Sequence, residues 1–309
     1  MAQVASVERQ SRQYSLAKIL GIWALAAAPM GILSWIVFPL LAPDFGLDPL
    51  GFGVTRLVLL ALGLVWLFVL SMNIVRREEG DLSWATVKRR LRLNTPREPA
   101  TGRPRARLFL WVVPFLVAVA VVELVLNTPL ENVWVSLFPF LAEPQGYSQD
   151  AILGSREILE RLQGAWWFLA LFVVQAAFNT IFGEEFLFRG VLLPKMEGVF
   201  GRFSWIANGV LFGFYHVHQP WGIPNSVITG LLYTYPAYRY RSTWMSVIIH
   251  SGQSVYIGFL VLGVVLGSPR TSQNAVKTKF VMAPPRRRPR EPTNGTPQGR
   301  SPYEEPGPP

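Results

Sequence analysis

Two adjacent carboxylates, Glu184 and Glu185, stand at the end of a long apolar run, and Arg189 follows four residues later, in Ile181-Phe182-Gly183-Glu184-Glu185-Phe186-Leu187-Phe188-Arg189. An acid at the centre of a membrane helix costs about 2.5–3.5 kcal/mol by insertion scales, so acids kept there are candidates for chemistry. Glu185 and Arg189 are four apart and share a helical face, which lets the guanidinium neutralise that carboxylate. Glu184 points about 100° away on a regular helix and is free to face a cavity as a general base. A Glu–Arg pair of this kind also serves as a plain helix anchor.

The three histidines, His216, His218 and His250, fall in two later apolar runs. In Phe212-Gly213-Phe214-Tyr215-His216 the first and last residues share a face, so the Phe212 ring can support the imidazole. His218 lies about 200° further round on helical winding and, beside Gln219 and Pro220, is expected at a helix end in water. In His250-Ser251-Gly252-Gln253-Ser254, His250 and Ser254 share a face and Gln253 points elsewhere. Two His and one Glu are the side-chain types of a thermolysin-like zinc set, which makes Glu184, His216 and His250 candidate ligands of one divalent metal such as Zn. The same groups suffice for water activation and oxyanion stabilisation without a metal. Neither His-Glu-x-x-His nor Gly-x-Ser-x-Gly occurs, so soluble zincin and serine-hydrolase readings have no motif behind them. With no cysteine in the chain, a disulfide framework, a thiolate nucleophile and a Cys-ligated zinc site are excluded.

The elements that must hold these groups are apolar blocks. Half of the 309 residues are hydrophobic and the mean hydropathy is +0.29, with the apolar residues gathered in runs of about 20 that read as membrane helices. The runs are 19–42, 57–75, 108–126 with Pro114 as an expected kink, 164–182, 203–217, 223–238 and 243–266. The expected fold is therefore all-α: a polytopic integral membrane helical bundle of about seven membrane segments. The sixth run is weak, and a re-entrant course is the alternative for it. The chain divides into N-terminal membrane helices (1–163), a helical core carrying all three motifs (164–267) and a tail (268–309). That tail holds ten of the 25 prolines and a charge of +5, the composition of a disordered segment.

Net charge is +10, with 24 Arg and 5 Lys. The basic residues crowd beside apolar runs, a pattern for anionic lipid and membrane orientation, so no nucleic-acid partner is expected. Loop 76–107 holds ten Lys or Arg, whereas the loop after the third run is acidic, with Glu131, Glu143, Asp150, Glu157 and Glu160. The positive-inside rule places the N-terminus and loop 76–107 in the cytoplasm, in a plasma membrane expected to be bacterial. Within that loop Trp84, Val87 and Leu91 have the spacing of a short helix lying on the inner leaflet; a solvated basic loop is the alternative.

Glu-Glu-x-x-x-Arg, then Phe-x-x-x-His, then His-x-x-x-Asn or Asp is the pattern of the CPBP family of CAAX proteases and bacteriocin-processing or self-immunity proteins (the Abi family), which includes the type II CAAX prenyl endopeptidases. Residues 164–266 resemble it. The resemblance implies an intramembrane endopeptidase whose partners are the lipid bilayer and a peptide or membrane-protein substrate near the inner leaflet. In it Glu184 would activate water with help from His216, Glu185 and Arg189 would hold the geometry, and His250 would stabilise the oxyanion or ligate a metal. Ser254 departs from the family pattern: it replaces an Asn or Asp and lacks an amide donor. That departure keeps open a non-catalytic membrane scaffold or regulator, and the buried acid with two histidines keeps open a proton-coupled transporter.

Overall fold

The computed structural model describes residues 13–44, 48–144, 147 and 156–268. The acidic residue Asp150 and the proline-rich tail beyond 268 lie outside the described residues. Among the described residues the chain is helical, and the sole extended pairing is an isolated bridge between Arg97 and Pro104. Five helices are long and apolar enough to cross a membrane: α1 (Leu16–Ala42), α2 (Pro49–Glu79), α4 (Ala106–Leu137), α5 (Trp166–Lys195) and α8 (Thr243–Val265). Their outward residues, among them Leu110, Val117, Val125, Val173 and Phe259, are large, apolar and exposed, as a lipid-facing surface requires. The chain is an integral membrane protein.

Seven spans were expected; the fifth and sixth runs fall short. They form α6 (Ser204–Tyr215) and α7 (Ile223–Arg239), of 12 and 17 residues. At 1.5 Å per residue these rise about 18 and 26 Å, less than the roughly 30 Å of a hydrocarbon core. The two pack as an antiparallel hairpin whose backbones nearly touch. A Cβ on Gly213 would meet the Val227 backbone at 2.8 Å, and one on Gly209 would meet the Leu231 nitrogen at 2.9 Å. Small residues at such positions let membrane helices approach closely.

Both ends of the bundle are tied. At one end Tyr14 N–H donates to the Lys195 carbonyl (2.9 Å), Arg97 N–H to Tyr240 (2.8 Å) and Thr243 N–H to Arg92 (3.0 Å). This end carries the basic loop. At the other end Gly164 N–H donates to the Val265 carbonyl (2.8 Å), and Arg161 pairs with Asp48, the residue that caps α2 by accepting from Gly51 N–H at 2.7 Å. Those two donors hold the Asp48 carboxyl below its usual range. This end carries the acidic loop.

The basic loop does contain a helix, α3 (Trp84–Arg90), capped by Ser83. Only Trp84 of its apolar stripe is exposed; Val87 and Leu91 are buried in the protein core rather than turned to lipid. Arg90 is buried with them. It pairs with Glu78 at 2.8 Å and donates to the Gly190 and Val191 carbonyls at 3.2 and 3.4 Å, so the loop plugs the basic end of α5. Pro114 is no mid-helix kink either. It lies in the first turn of α-winding that follows a 3-10 stretch, Ala106–Trp111, where its missing N–H costs least. One core joins α1, α2, α3 and α5 to the hairpin and α8 through residues such as Ile22, Leu64, Leu91, Phe188, Tyr215 and Ile249.

Replacing Gly213 by Leu is expected to lower the melting temperature in detergent, at about 1–3 kcal/mol or more for overpacking. Gly21→Ala, where a Cβ meets nothing within 4 Å, should leave it unchanged. Equal melting temperatures for the two variants would contradict the close-packed hairpin.

Candidate active site

α5 changes winding where its charges begin. Phe178–Gly183 and Glu185–Leu192 are π-helical, with i→i+5 hydrogen bonding, a winding found mostly at functional sites. Gly183 makes room for it: a Cβ there would lie 2.5 Å from the Phe178 carbonyl oxygen and 2.8 Å from that of Leu64 on α2. The wider winding still brings Glu185 and Arg189 together, with Nη1 donating to Oε1 at 2.9 Å. It also turns Asn179 and Glu184 toward the same cavity, although five residues on a regular α-helix differ by about 140°.

Arg189 is fully buried and satisfied by three elements. Besides Glu185 it donates from Nε to Thr234 Oγ1 (3.2 Å) and from Nη2 to the Gly230 carbonyl (3.2 Å), both on α7. Its guanidinium carbon lies 4.1 Å from the centroid of the Phe212 ring on α6. Thr234 in turn bonds Asn208 Oδ1 (3.2 Å), and Asn208 donates to the Phe188 carbonyl (2.9 Å). This network fixes the hairpin against α5.

Glu185 accepts a second bond, from His250 Nδ1 at 3.0 Å. The His250 ring stacks on Tyr233, centroids 4.4 Å apart, and its Nε2 stands 3.9 Å from Glu184 Oε2. Glu184 is 2 % exposed, and its Oε2 has no hydrogen-bond partner among the described residues. His216 caps the end of α6 and its Nδ1 contacts the Phe212 carbonyl at 2.9 Å. A carbonyl only accepts, so Nδ1 carries the proton and a neutral ring presents the Nε2 lone pair. The Phe212 ring meets His216 edge-on, with centroids 4.9 Å apart.

Glu184, His216 and His250 line one cavity of about 350 Å³, which Glu185 and Arg189 support from behind. Ser254 lines it too, and so does Gln253, which regular winding would turn away. His218 is a clearer departure. It is 5 % exposed, not in water, and its ring lies 5.4 Å from that of His216 along the cavity wall. The reason is local: α6 ends at Tyr215, and His216 leaves helical geometry at φ −74°, ψ 40°, so the step of 100° per residue stops applying. Asn179, Arg56 and Asn225 are among the other polar residues that line it. Nothing in their spacing marks them, although Arg56, the sole basic residue between the first two runs, was visible as an oddity.

Among the described residues no three His, Asp or Glu side chains converge as metal ligands do. Glu184, His216 and His250 as placed do not fit a three-ligand zinc set, and no step below passes through a metal.

The buried pair generates a prediction. Removing one member of such a pair costs about 3–5 kcal/mol because the other charge is stranded. Arg189→Met should therefore lower the melting temperature in detergent sharply, Glu185→Leu with Arg189→Met should recover part of the loss, and Glu184→Gln should cost little. An unaltered melting temperature in Arg189→Met would show that the pair does not organise the site.

Residues 164–256 match the family model described as type II CAAX prenyl endopeptidase Rce1-like. No curated protein and no solved structure matches the chain. The matched stretch, less than a third of the sequence, begins just before α5 and ends within α8, so it holds every motif residue described above, and over it the chain is similar to the Rce1-like endopeptidases.

Proposed function

We propose that the protein is an intramembrane endopeptidase that hydrolyses a peptide bond of a membrane-associated protein or peptide by water activated on Glu184. The observation that carries this reading is the division of labour between adjacent acids. Glu185 faces away from the cavity and gives Oε1 to Arg189 and His250, while Glu184 lines the cavity together with both histidines. A buried carboxylate is expensive unless the site uses it. The family match over residues 164–256 supports the same class of activity.

In this mechanism Glu184 takes a proton from water as its oxygen attacks the substrate carbonyl carbon. His216, held through Nδ1, uses Nε2 to orient that water. The tetrahedral oxyanion forms beside the His250 ring and accepts a hydrogen bond from the Ser254 hydroxyl. Ser254 lacks an amide, but Gln253 and Asn179 bring amide donors to the same cavity. Glu184 then passes its proton to the leaving nitrogen as the C–N bond breaks, and acid and amine products result.

A cleavage assay in liposomes against a quenched-peptide library tests this. Glu184→Gln, His216→Ala and His250→Ala should each lower the rate by about 10²–10⁴-fold, the range for general acid–base groups, while the proteins fold and insert normally. Chelator should leave the wild-type rate unchanged. Wild-type cleavage by Glu184→Gln would refute the mechanism, and chelator sensitivity would restore a metal to it. Ser254 also motivates a second reading, a non-catalytic scaffold, which gains if only Ser254→Asn cleaves.

A further inference from the structure

The cavity has a direction. Its lining residues on the spanning helices lie at mid-depth or toward the acidic end: Arg56 near the start of α2, Glu123 and Glu131 in the second half of α4, Gln175 in the first half of α5. Glu143 and Tyr147, from the acidic loop, line it too. Glu184, His216 and His250 are buried; toward the acidic end Glu131, Glu143 and Gln219 are half-buried, over the buried Arg56 and Tyr147.

Toward the basic end the floor is sealed. Behind Glu184 lie the Arg189 network, then the buried Phe188, Val191 and Leu91, then Arg90 bonded to the Gly190 and Val191 carbonyls. Nothing from loop 76–107 lines the cavity.

The charges orient these ends. Loop 76–107 carries ten Lys or Arg, and Lys195, Arg202, Arg239 and Arg241 join it at the same end; the described residues of the opposite end offer Arg56, Arg156 and Arg161. By the positive-inside rule the basic end is cytoplasmic. We infer that this site takes its substrate from the extracytoplasmic face, rather than near the inner leaflet as the resemblance implied, as an extended polar peptide segment exposed on that side. The word substrate rests on the endopeptidase reading above; the direction of access does not.

The wall chemistry fits a peptide main chain. Four cavity-lining groups have an atom without a hydrogen-bond partner among the described residues: Glu184 Oε2, His218 Nδ1, Arg56 Nε and Asn225 Oδ1. Arg56 and His218 are more than nine-tenths buried. The polar side chains that line the wall, Gln175, Asn179, Gln219 and Gln253 among them, supply the donors and acceptors that the alternating N–H and C=O groups of an extended peptide require.

The chain contains no cysteine, so single cysteines report without background. Gln219→Cys on the cavity wall and Arg103→Cys in the exposed basic loop would be treated with a membrane-impermeant maleimide in intact cells and in inverted vesicles. The expected result is labelling of Gln219→Cys in intact cells and loss of that labelling in inverted vesicles, with the reverse for Arg103→Cys. Labelling of Gln219→Cys from the cytoplasmic face alone, or from neither face, overturns the inference. Labelling from outside together with a chain that cleaves nothing would leave the access route standing and remove the protease reading.

Discussion

A single guanidinium buried from solvent holds the candidate site together. Arg189 lies inside the protein at mid-bundle, where an unpaired charge would cost several kcal/mol even after relaxation. Its position is tolerable only because α5, α6 and α7 each bring something to it: the Glu185 carboxylate, the Phe212 ring face, the Gly230 carbonyl and the Thr234 hydroxyl. Any displacement of the hairpin strands the charge. The hairpin carries His216 at its tip, so the alignment of catalytic candidates on different helices follows from satisfying one cation. The same pairing makes the two acids unequal, since Glu185 is turned to Arg189 and His250 while Glu184 lines the cavity.

Local backbone choices serve that arrangement. The π-winding of α5 rotates Asn179 and Glu184 toward the cavity while preserving the Glu185–Arg189 pair. Gly183 lets the widened turn lie against α2, and Gly209, Gly213 and Gly230 let α6 and α7 touch along their backbones. These glycines act through the absence of a side chain at points of contact, which gives van der Waals packing the closeness it needs in a setting with little hydrophobic drive between helices.

Much of this was legible from the residues. Carboxylates and an arginine in an apolar run announce themselves by their cost, and the spacing of four between Glu185 and Arg189 gave their pairing directly. Membrane helices were equally plain, but their number was not, because hydropathy reports apolar character and only length reports crossing; α6 and α7 are apolar and short. His218 and Gln253 were misplaced for a related reason. Projecting residues at 100° each assumes that helical winding continues, and it stops at Tyr215 on one side while the cavity is wide enough to admit neighbouring positions on the other. Val87 and Leu91 were read against a lipid surface or in a solvated loop because the sequence says nothing about the groove at the end of α5 that receives them. Asn179 was hidden behind a change of helix type that leaves no mark in composition.

The half-depth hairpin and the sealed floor beneath it also have an electrical meaning. A polar cavity that descends from one face brings the high dielectric of that face down to Glu184, and the field of an energised membrane is then confined to the thinner layer that remains, from Arg189 to the basic loop. One elementary charge moved through a potential of 100 mV exchanges about 2.3 kcal/mol. With the cavity open to the outer face, as inferred, the acid and its two histidines would sit on the near side of that drop, at the potential of the outer solution, and proton movements among them would proceed almost untouched by it. The buried Arg189–Glu185 pair, by contrast, lies within the compressed field, where opposite charges held 2.9 Å apart carry a fixed dipole but no net charge.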